Sequence, residues 1–82
     1  MNVELLYFAG ARDIAAKSRE SVDLPNTVTN VAQLLIWLSE RYPDLTPHLS
    51  SLRIARNESF ATPDEHLAPN DVLAVIPPVA GG

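Results

Sequence analysis

The chain has 82 residues, of which 46% are hydrophobic and 20% charged, with a formal net charge of −4 and no cysteine. This length suits one domain, 1–82, and the apolar content argues against a disordered chain. The missing cysteines exclude disulfides, thiolate metal sites and a cysteine nucleophile, while six scattered basic residues against ten acidic ones argue against a nucleic-acid partner.

Two strands are predicted at the start of the chain. The first spans residues 2–8 and is apolar at nearly every position. Gly10 follows it, and a short helix is predicted over 11–17. A second strand is predicted over 20–24, ending at Pro25, because proline cannot continue a ladder of hydrogen bonds.

The clearest predicted element is an amphipathic helix between Asn30 and Pro43. Asn30 is a suitable N-cap, and Gln33 lies three residues on, where it can reach back as in a capping box. Pro43 stops the helix. Its apolar residues recur at helical spacing: Val31, Leu34, Leu35, Leu38 and Tyr42.

Three further strands are predicted after this helix. The remaining segments are a loop over 44–51, a strand over 52–56, a turn at Asn57-Glu58, a short strand over 59–61, a loop over 63–70 with Leu67 pointing inward, and a last strand over 71–76. The order β-β-α-β-β-β predicts an α+β fold, in which one main helix covers a mixed sheet of about five strands. The first and last strands are the most apolar, so we expect them to form a central parallel pair.

Side-chain chemistry is sparse. His48 and His66 lack the spacing of metal ligands and are expected to be solvated loop residues. A phosphate-binding glycine loop is excluded, because Gly10 is the only glycine before the last two residues. The chain is therefore not expected to hold an active site or a cofactor of its own.

The C-terminal segment 77–82 carries the main functional hypothesis. Pro77-Pro78 begins it in an extended conformation, so the tail can project roughly 20 Å. Gly81 and Gly82 lack side chains and can therefore enter a narrow channel in another protein. The alternative is a frayed terminus or a cloning remnant; two terminal glycines arise by chance in about one chain in 200.

This ending, together with the segments LLYFAGARD, VAQLLIWLSERYP and RIARNESF, strongly resembles the sulfur-carrier subunits of molybdopterin synthase. The resemblance covers essentially the whole chain, and it implies a ubiquitin-like β-grasp fold. It also implies that Gly82 is the reacting residue. A ubiquitin-activating-like adenylyltransferase would use ATP to adenylate its carboxylate, and a desulfurase or rhodanese type of sulfur donor would convert the product to a thiocarboxylate.

The resemblance further implies a heterotetramer with the large synthase subunit, which would hold the catalytic residues. That subunit would transfer the sulfur to cyclic pyranopterin monophosphate. The implied location is the cytoplasm. This agrees with an N-terminus that lacks the basic region of a signal peptide, and with apolar runs well short of the ~20 residues needed to span a bilayer.

The family's partner-binding surface maps onto Phe8, Phe60 and Ile76. Strand alternation independently places Phe8 and Ile76 on the face opposite the core; the alternative is that these residues cover loops or a sheet edge. Arg12 matches a family arginine that can pair with a partner's carboxylate, or it simply solvates its loop.

Two other functions remain open at this point. The chain can be a sulfur carrier for another pathway, such as thiamine, cysteine or thiolated tRNA. It can also be a ubiquitin-like modifier or interaction module that never carries sulfur.

Overall fold

The computed structural model describes residues 1–78. Its helices are α1 (Ala9–Ala15), α2 (Val31–Arg41) and a 3-10 helix (Pro43–Ser51). Its strands are β1 (Asn2–Tyr7), β2 (Arg19–Asp23), β3 (Arg53–Arg56), β4 (Ser59–Phe60) and β5 (Val72–Ile76). The strands form one sheet in the order β2-β1-β5-β3-β4.

The sheet is mixed, and its middle is the parallel pair of β1 and β5. All other neighbours, β1 with β2, β3 with β5 and β3 with β4, are antiparallel. The predicted α+β architecture and the central parallel pair are therefore confirmed. The ends of the predicted strands differ from the observed ones by at most one residue, where hydrogen bonding frays.

One face of the sheet packs against the helices and forms the core. Leu5, Leu73 and Val75 point to this face from β1 and β5, and all three are 0% exposed. They pack against α2, whose predicted apolar stripe buries Leu34 and Leu38 completely. Because strand side chains alternate, every second residue of β1 and β5 is left on the opposite face of the sheet. We call this opposite side the open face.

The N-terminal cap of α2 is confirmed. The Asn30 side chain accepts a hydrogen bond from the Gln33 backbone N–H at 2.9 Å. Gln33 Oε1 reaches back one residue further than the predicted box, and accepts from the Thr29 backbone N–H at 2.7 Å. The helix ends at Arg41, before Pro43, as its sequence predicts.

The predicted loop over 44–51 is wrong, because Pro43–Ser51 is a 3-10 helix. Pro43 occupies its first turn, where a missing N–H costs nothing. The loop prediction relied on Pro47 as a breaker. In the fold, however, Leu45 is 1% exposed and Leu49 packs against the core, so tertiary packing outweighs the local preference.

The predicted turn at Asn57-Glu58 joins β3 to β4. Both residues have positive φ, 51° and 73°, as a tight hairpin turn requires. Further along the chain, the predicted inward position of Leu67 is confirmed by an exposure of 8%.

Candidate functional site

The tail leaves the sheet from its middle strand. β5 is hydrogen-bonded to β1 on one side and to β3 on the other, so its end at Ile76 is a fixed point. Of the predicted tail residues, Pro77 and Pro78 are described by the structure, whereas Gly81 and Gly82 lie outside the described residues. The base of the tail is therefore fixed by the hydrogen bonds of the sheet.

Pro77 and Pro78 lie in two different surface grooves. Pro77 is half-buried in a groove between α1 and the 3-10 helix, where Ile14, Leu45 and His48 are among the lining residues. Pro78 is exposed and lines a second groove on the side of β3 and β4. The proline pair thus carries the chain across the rim of the fold from one groove to the next.

The open face of the sheet holds a shallow apolar depression, which we call the open-face patch. Small alanine side chains of β3 and β5 form its floor, and larger apolar side chains form its sides. It is open to solvent, and such contiguous apolar surface is typical of a protein-binding site. The lining residues are Leu6, Phe8, Ala55, Glu58, Phe60, Val72, Ala74 and Ile76.

The structure brings Phe8, Phe60 and Ile76 together in this patch. Phe8 is 46% exposed and Phe60 is 67% exposed, so neither covers a loop or forms part of the core. Ile76 is half-buried beside them, at the end of β5. Their role in binding a partner stays a prediction, but their positions are those that such a role requires.

Arg12 lies outside the patch, on the exposed side of α1. Its backbone N–H donates to the Phe8 carbonyl at 3.3 Å, which places the arginine one turn beyond Phe8. Leu6, Val72 and Ala74 were not singled out from the sequence, although the alternation of β1 and β5 puts them on the same face.

Glu20 is the centre of a polar cluster that the sequence did not reveal. Its carboxylate accepts hydrogen bonds from the hydroxyls of Tyr7 at 2.6 Å and Tyr42 at 2.7 Å, and from the Arg41 guanidinium at 2.8 Å. Burial acts to raise the pKa of Glu20, but these three hydrogen bonds outweigh it and lower the pKa to about 2. The cluster ties β1, β2 and the end of α2 together.

Asp71 forms a second cluster immediately before β5. Asp71 is 4% exposed, and its carboxylate accepts hydrogen bonds from Arg56 Nε at 2.6 Å, the Ala68 backbone N–H at 2.8 Å and Asn57 Nδ2 at 2.9 Å. Burial opposes ionisation, yet these donors lower the pKa of Asp71 below its ordinary value. The cluster fixes the loop that leads into the strand carrying the tail.

Neither cluster resembles an active site, since every carboxylate oxygen in it is held by structural donors. No group of three potential metal ligands occurs within residues 1–78. His48 and His66 are exposed, as predicted. In the same range no helix is long and apolar enough to cross a membrane. The features that suggest binding are thus the open-face patch and the base of the tail beside it.

Residues 5–82 match the model of the ThiS family. The chain belongs to this family. The match runs through the open-face patch and includes the C-terminal glycines. It therefore covers the part of the chain that the structure describes from Leu5 onward, together with the tail residues beyond it.

Curated relatives of this ThiS-family chain agree with the resemblance found in its sequence. A molybdopterin synthase sulfur carrier subunit from Drosophila yakuba is 39% identical over 88 residues, covering 100% of this chain and 92% of the relative. One from Mycobacterium tuberculosis is 35% identical over 83 residues, covering 100% and 99%. The resemblance is confirmed over the whole chain.

Solved structures confirm the ubiquitin-like fold. A Pyrococcus furiosus protein, provisionally described as molybdopterin converting factor subunit 1, superposes with a TM-score of 0.82 at 28% identity, covering 96% of this chain and 99% of that one. The small archaeal modifier protein 1 of Haloferax volcanii gives a TM-score of 0.80 at 26% identity, covering 95% and 98%. The ThiS-family fold is thus shared by proteins with different described roles.

Proposed function

We propose that this protein is the sulfur-carrier subunit of a molybdopterin synthase, with the Gly82 carboxylate as the group that carries sulfur. The observation that supports this most directly is the similarity to carriers of that name over the full length of the chain. The sequence adds a C-terminal Gly81-Gly82 pair directly after Pro77-Pro78, Val79 and Ala80. A cysteine-free chain can carry sulfur in this way because the C-terminal acyl group replaces a thiol.

Activation of Gly82 is the first chemical step. A carboxylate is a poor acyl donor, because oxide is a poor leaving group. An adenylyltransferase joins the carboxylate to the AMP moiety of ATP and releases pyrophosphate, so that AMP becomes a good leaving group. The terminal sulfur of a donor persulfide then displaces AMP, and a thiol reduces the resulting acyl disulfide to a thiocarboxylate, whose sulfur is a soft nucleophile at neutral pH. ATP binds to the activating enzyme, and the carrier itself holds no cofactor.

Transfer of the sulfur takes place on the large synthase subunit. The tail enters the active site of that subunit, and Gly81 and Gly82 fit a narrow channel because they have no Cβ. The large subunit supplies the catalytic residues and transfers the sulfur to cyclic pyranopterin monophosphate. The carrier contributes the positioned acyl group and is non-catalytic by itself.

The open-face patch is the docking surface for these partners. Phe8, Phe60 and Ile76 provide exposed apolar area next to the base of the tail. Contact at the patch therefore fixes the direction in which the tail departs, and limits the freedom that is lost when it enters the channel. All these partners are cytoplasmic in this proposal.

Intact-mass measurement tests the proposal. The purified carrier is incubated with an activating enzyme, ATP and a sulfur source, and a mass gain equal to the exchange of one oxygen for sulfur is expected. Deletion of Gly82, or one extra residue after it, should abolish the gain and the production of molybdopterin while the circular dichroism spectrum is unchanged. Sulfur transfer by the Gly82 deletion would contradict the proposal.

A ubiquitin-like modifier is the second candidate, supported by the similarity to small archaeal modifier protein 1. A modifier would become linked through Gly82 to amino groups of other proteins, which denaturing electrophoresis detects as larger covalent products. Carriers for thiamine, cysteine or thiolated tRNA would acquire sulfur but fail to bind a molybdopterin synthase large subunit. Denaturing electrophoresis therefore identifies a modifier, and binding to the large subunit distinguishes a molybdopterin synthase carrier from the carriers of other pathways.

A further inference from the structure

The six basic side chains of this protein fall into two groups. Four of them contact a carboxylate inside residues 1–78: Lys17 and Arg41 with Glu20, Arg19 with Glu4, and Arg56 with Glu65 and Asp71. Within the same residues, Arg12 and Arg53 form no ion pair.

Arg53 lies at the base of the tail. It is paired across the β3–β5 ladder with Ile76, so the two side chains leave the sheet on the same open face. Arg53 also lines the second groove together with Phe60 and Pro78. Its charge is therefore placed where the open-face patch meets the tail.

The Phe60 ring lies beside the Arg53 side chain. The guanidinium carbon lies 6.0 Å from the centroid of the Phe60 ring, at the outer limit of a cation–π contact. Arg53 and Phe60 are both exposed, so the contact leaves the guanidinium N–H donors accessible to solvent. A neighbouring aromatic ring restricts some of the arginine rotamers, which reduces the side-chain entropy that is lost when the arginine binds a carboxylate.

We infer that Arg53 is a specificity-determining residue of the carrier, and that it binds a carboxylate of the large subunit at the mouth of the tail channel. This inference rests on the proposed function. Charge complementarity identifies the group that Arg53 binds as a carboxylate, because Arg53 is positively charged and forms no ion pair within the described residues. Its side chain also faces outward beside the apolar open-face patch. A charge of this kind at the rim of an interface acts mainly on association and on the choice of partner.

Binding of the carrier to the purified large subunit tests the inference. R53Q is expected to weaken the complex about tenfold at low salt, mostly through slower association. R53E should weaken it further, whereas R53K should recover part of the loss by restoring the charge. The wild-type affinity should fall with added salt more steeply than that of R53Q, because salt screens the attraction between Arg53 and the carboxylate, which the variant does not have.

R19Q is the matched control. Arg19 also lies on the open face, but at the far edge strand and paired with Glu4, so its loss should change affinity less than twofold. R53Q and R19Q should both retain the wild-type melting temperature, since both side chains are exposed.

The outcomes separate this inference from the function on which it rests. If wild-type carrier binds the large subunit and R53Q binds equally well, the Arg53 inference is overturned and the proposed function stands. If the wild type fails to bind at all, the proposed function itself fails. If R53Q lowers the rate of Gly82 adenylation but not the affinity for the large subunit, Arg53 contacts the activating enzyme and the inference is overturned. If R53Q no longer lowers the affinity once Gly82 is deleted, Arg53 acts on the chain's own tail, and the inference is overturned as well.

Discussion

At the scale of single residues, exposure separates the side chains that are available to a partner from those that are buried in the fold. Phe8 and Tyr7 are neighbours in sequence, yet Phe8 is 46% exposed and Tyr7 is 2% exposed. Tyr7 donates its hydroxyl to Glu20 inside the fold, while Phe8 borders the open-face patch. Strand alternation alone produces this division, because consecutive side chains point to opposite faces.

Phe8→Asp tests the binding role of the patch. The change should weaken the complex with the large subunit by about 2 kcal/mol or more, as expected for an aromatic anchor at an interface. The fold should tolerate it, because Phe8 precedes α1 as its N-cap and makes no side-chain cap bond, and aspartate is a preferred cap. Affinity is measured by isothermal titration calorimetry, and the melting temperature is recorded alongside.

Ile36→Glu is the control for that prediction. Ile36 is 57% exposed on α2, on the opposite side of the sheet from the open-face patch, so a charge there should leave the complex intact. Equal losses of affinity in both variants would contradict a specific role for the patch. A large fall in melting temperature for Phe8→Asp would instead assign Phe8 to the core.

At the scale of elements, local sequence signals decided where α2 begins and ends, and tertiary packing decided the segment that follows it. Asn30 and Pro43 bracket the helix as predicted. The next nine residues contain two prolines and read as a loop, yet they form a 3-10 helix because Leu45 and Leu49 reach the core. Hydrophobic contacts from distant residues carry no signature in such a short stretch.

Asn30→Ala tests the cap of α2. Loss of the hydrogen bond to the Gln33 N–H should lower the free energy of unfolding by about 1 kcal/mol, measured by urea denaturation. Asn2→Ala, at an exposed position of β1, should stay within about 0.5 kcal/mol of the wild type. The two variants behaving alike would mean that the cap adds nothing to stability.

At the scale of the whole molecule, two carboxylates, the half-buried Glu20 and the buried Asp71, join segments that are far apart in sequence. Glu20 connects to Tyr7 and Tyr42, and Asp71 connects to Arg56 and Asn57. Both carboxylates have a lowered pKa. The folded state therefore holds them ionised where the unfolded chain would take up protons, so their contribution to stability is present at neutral pH and lost in acid.

The stability of the protein should therefore fall as the pH drops from about 4.5, the ordinary value for a glutamate, to about 2, the value of Glu20 in the fold. Glu20→Gln should cost about 2 kcal/mol at neutral pH, because three donors lose their charged acceptor. It should also flatten the pH dependence over this range. Urea denaturation at a series of pH values measures both effects, and a variant curve parallel to the wild type would exclude Glu20 as their source.

Most of the fold could be predicted from the sequence, whereas only part of the candidate site could. The strands, α2 and the central parallel pair followed from apolar periodicity and capping residues. Phe8 and Ile76 were placed on the open face by alternation, and Phe60 by family resemblance. The Glu20 and Asp71 clusters were missed, because a carboxylate looks like any exposed charge in the sequence until the donors that the fold brings to it are known.

By itself, the sequence determined the class of the fold and the Gly81-Gly82 ending on which the proposed function depends, because periodicity, caps and terminal residues are local properties. The tertiary structure alone decided which exposed side chains share one surface and which charges within residues 1–78 form no ion pair there. The pairing of strands and the packing of α2 produce these arrangements. The β3–β5 register brings Arg53 beside Ile76. The β1–β2 register and the end of α2 bring Glu20 within hydrogen-bond distance of Tyr7 and Tyr42.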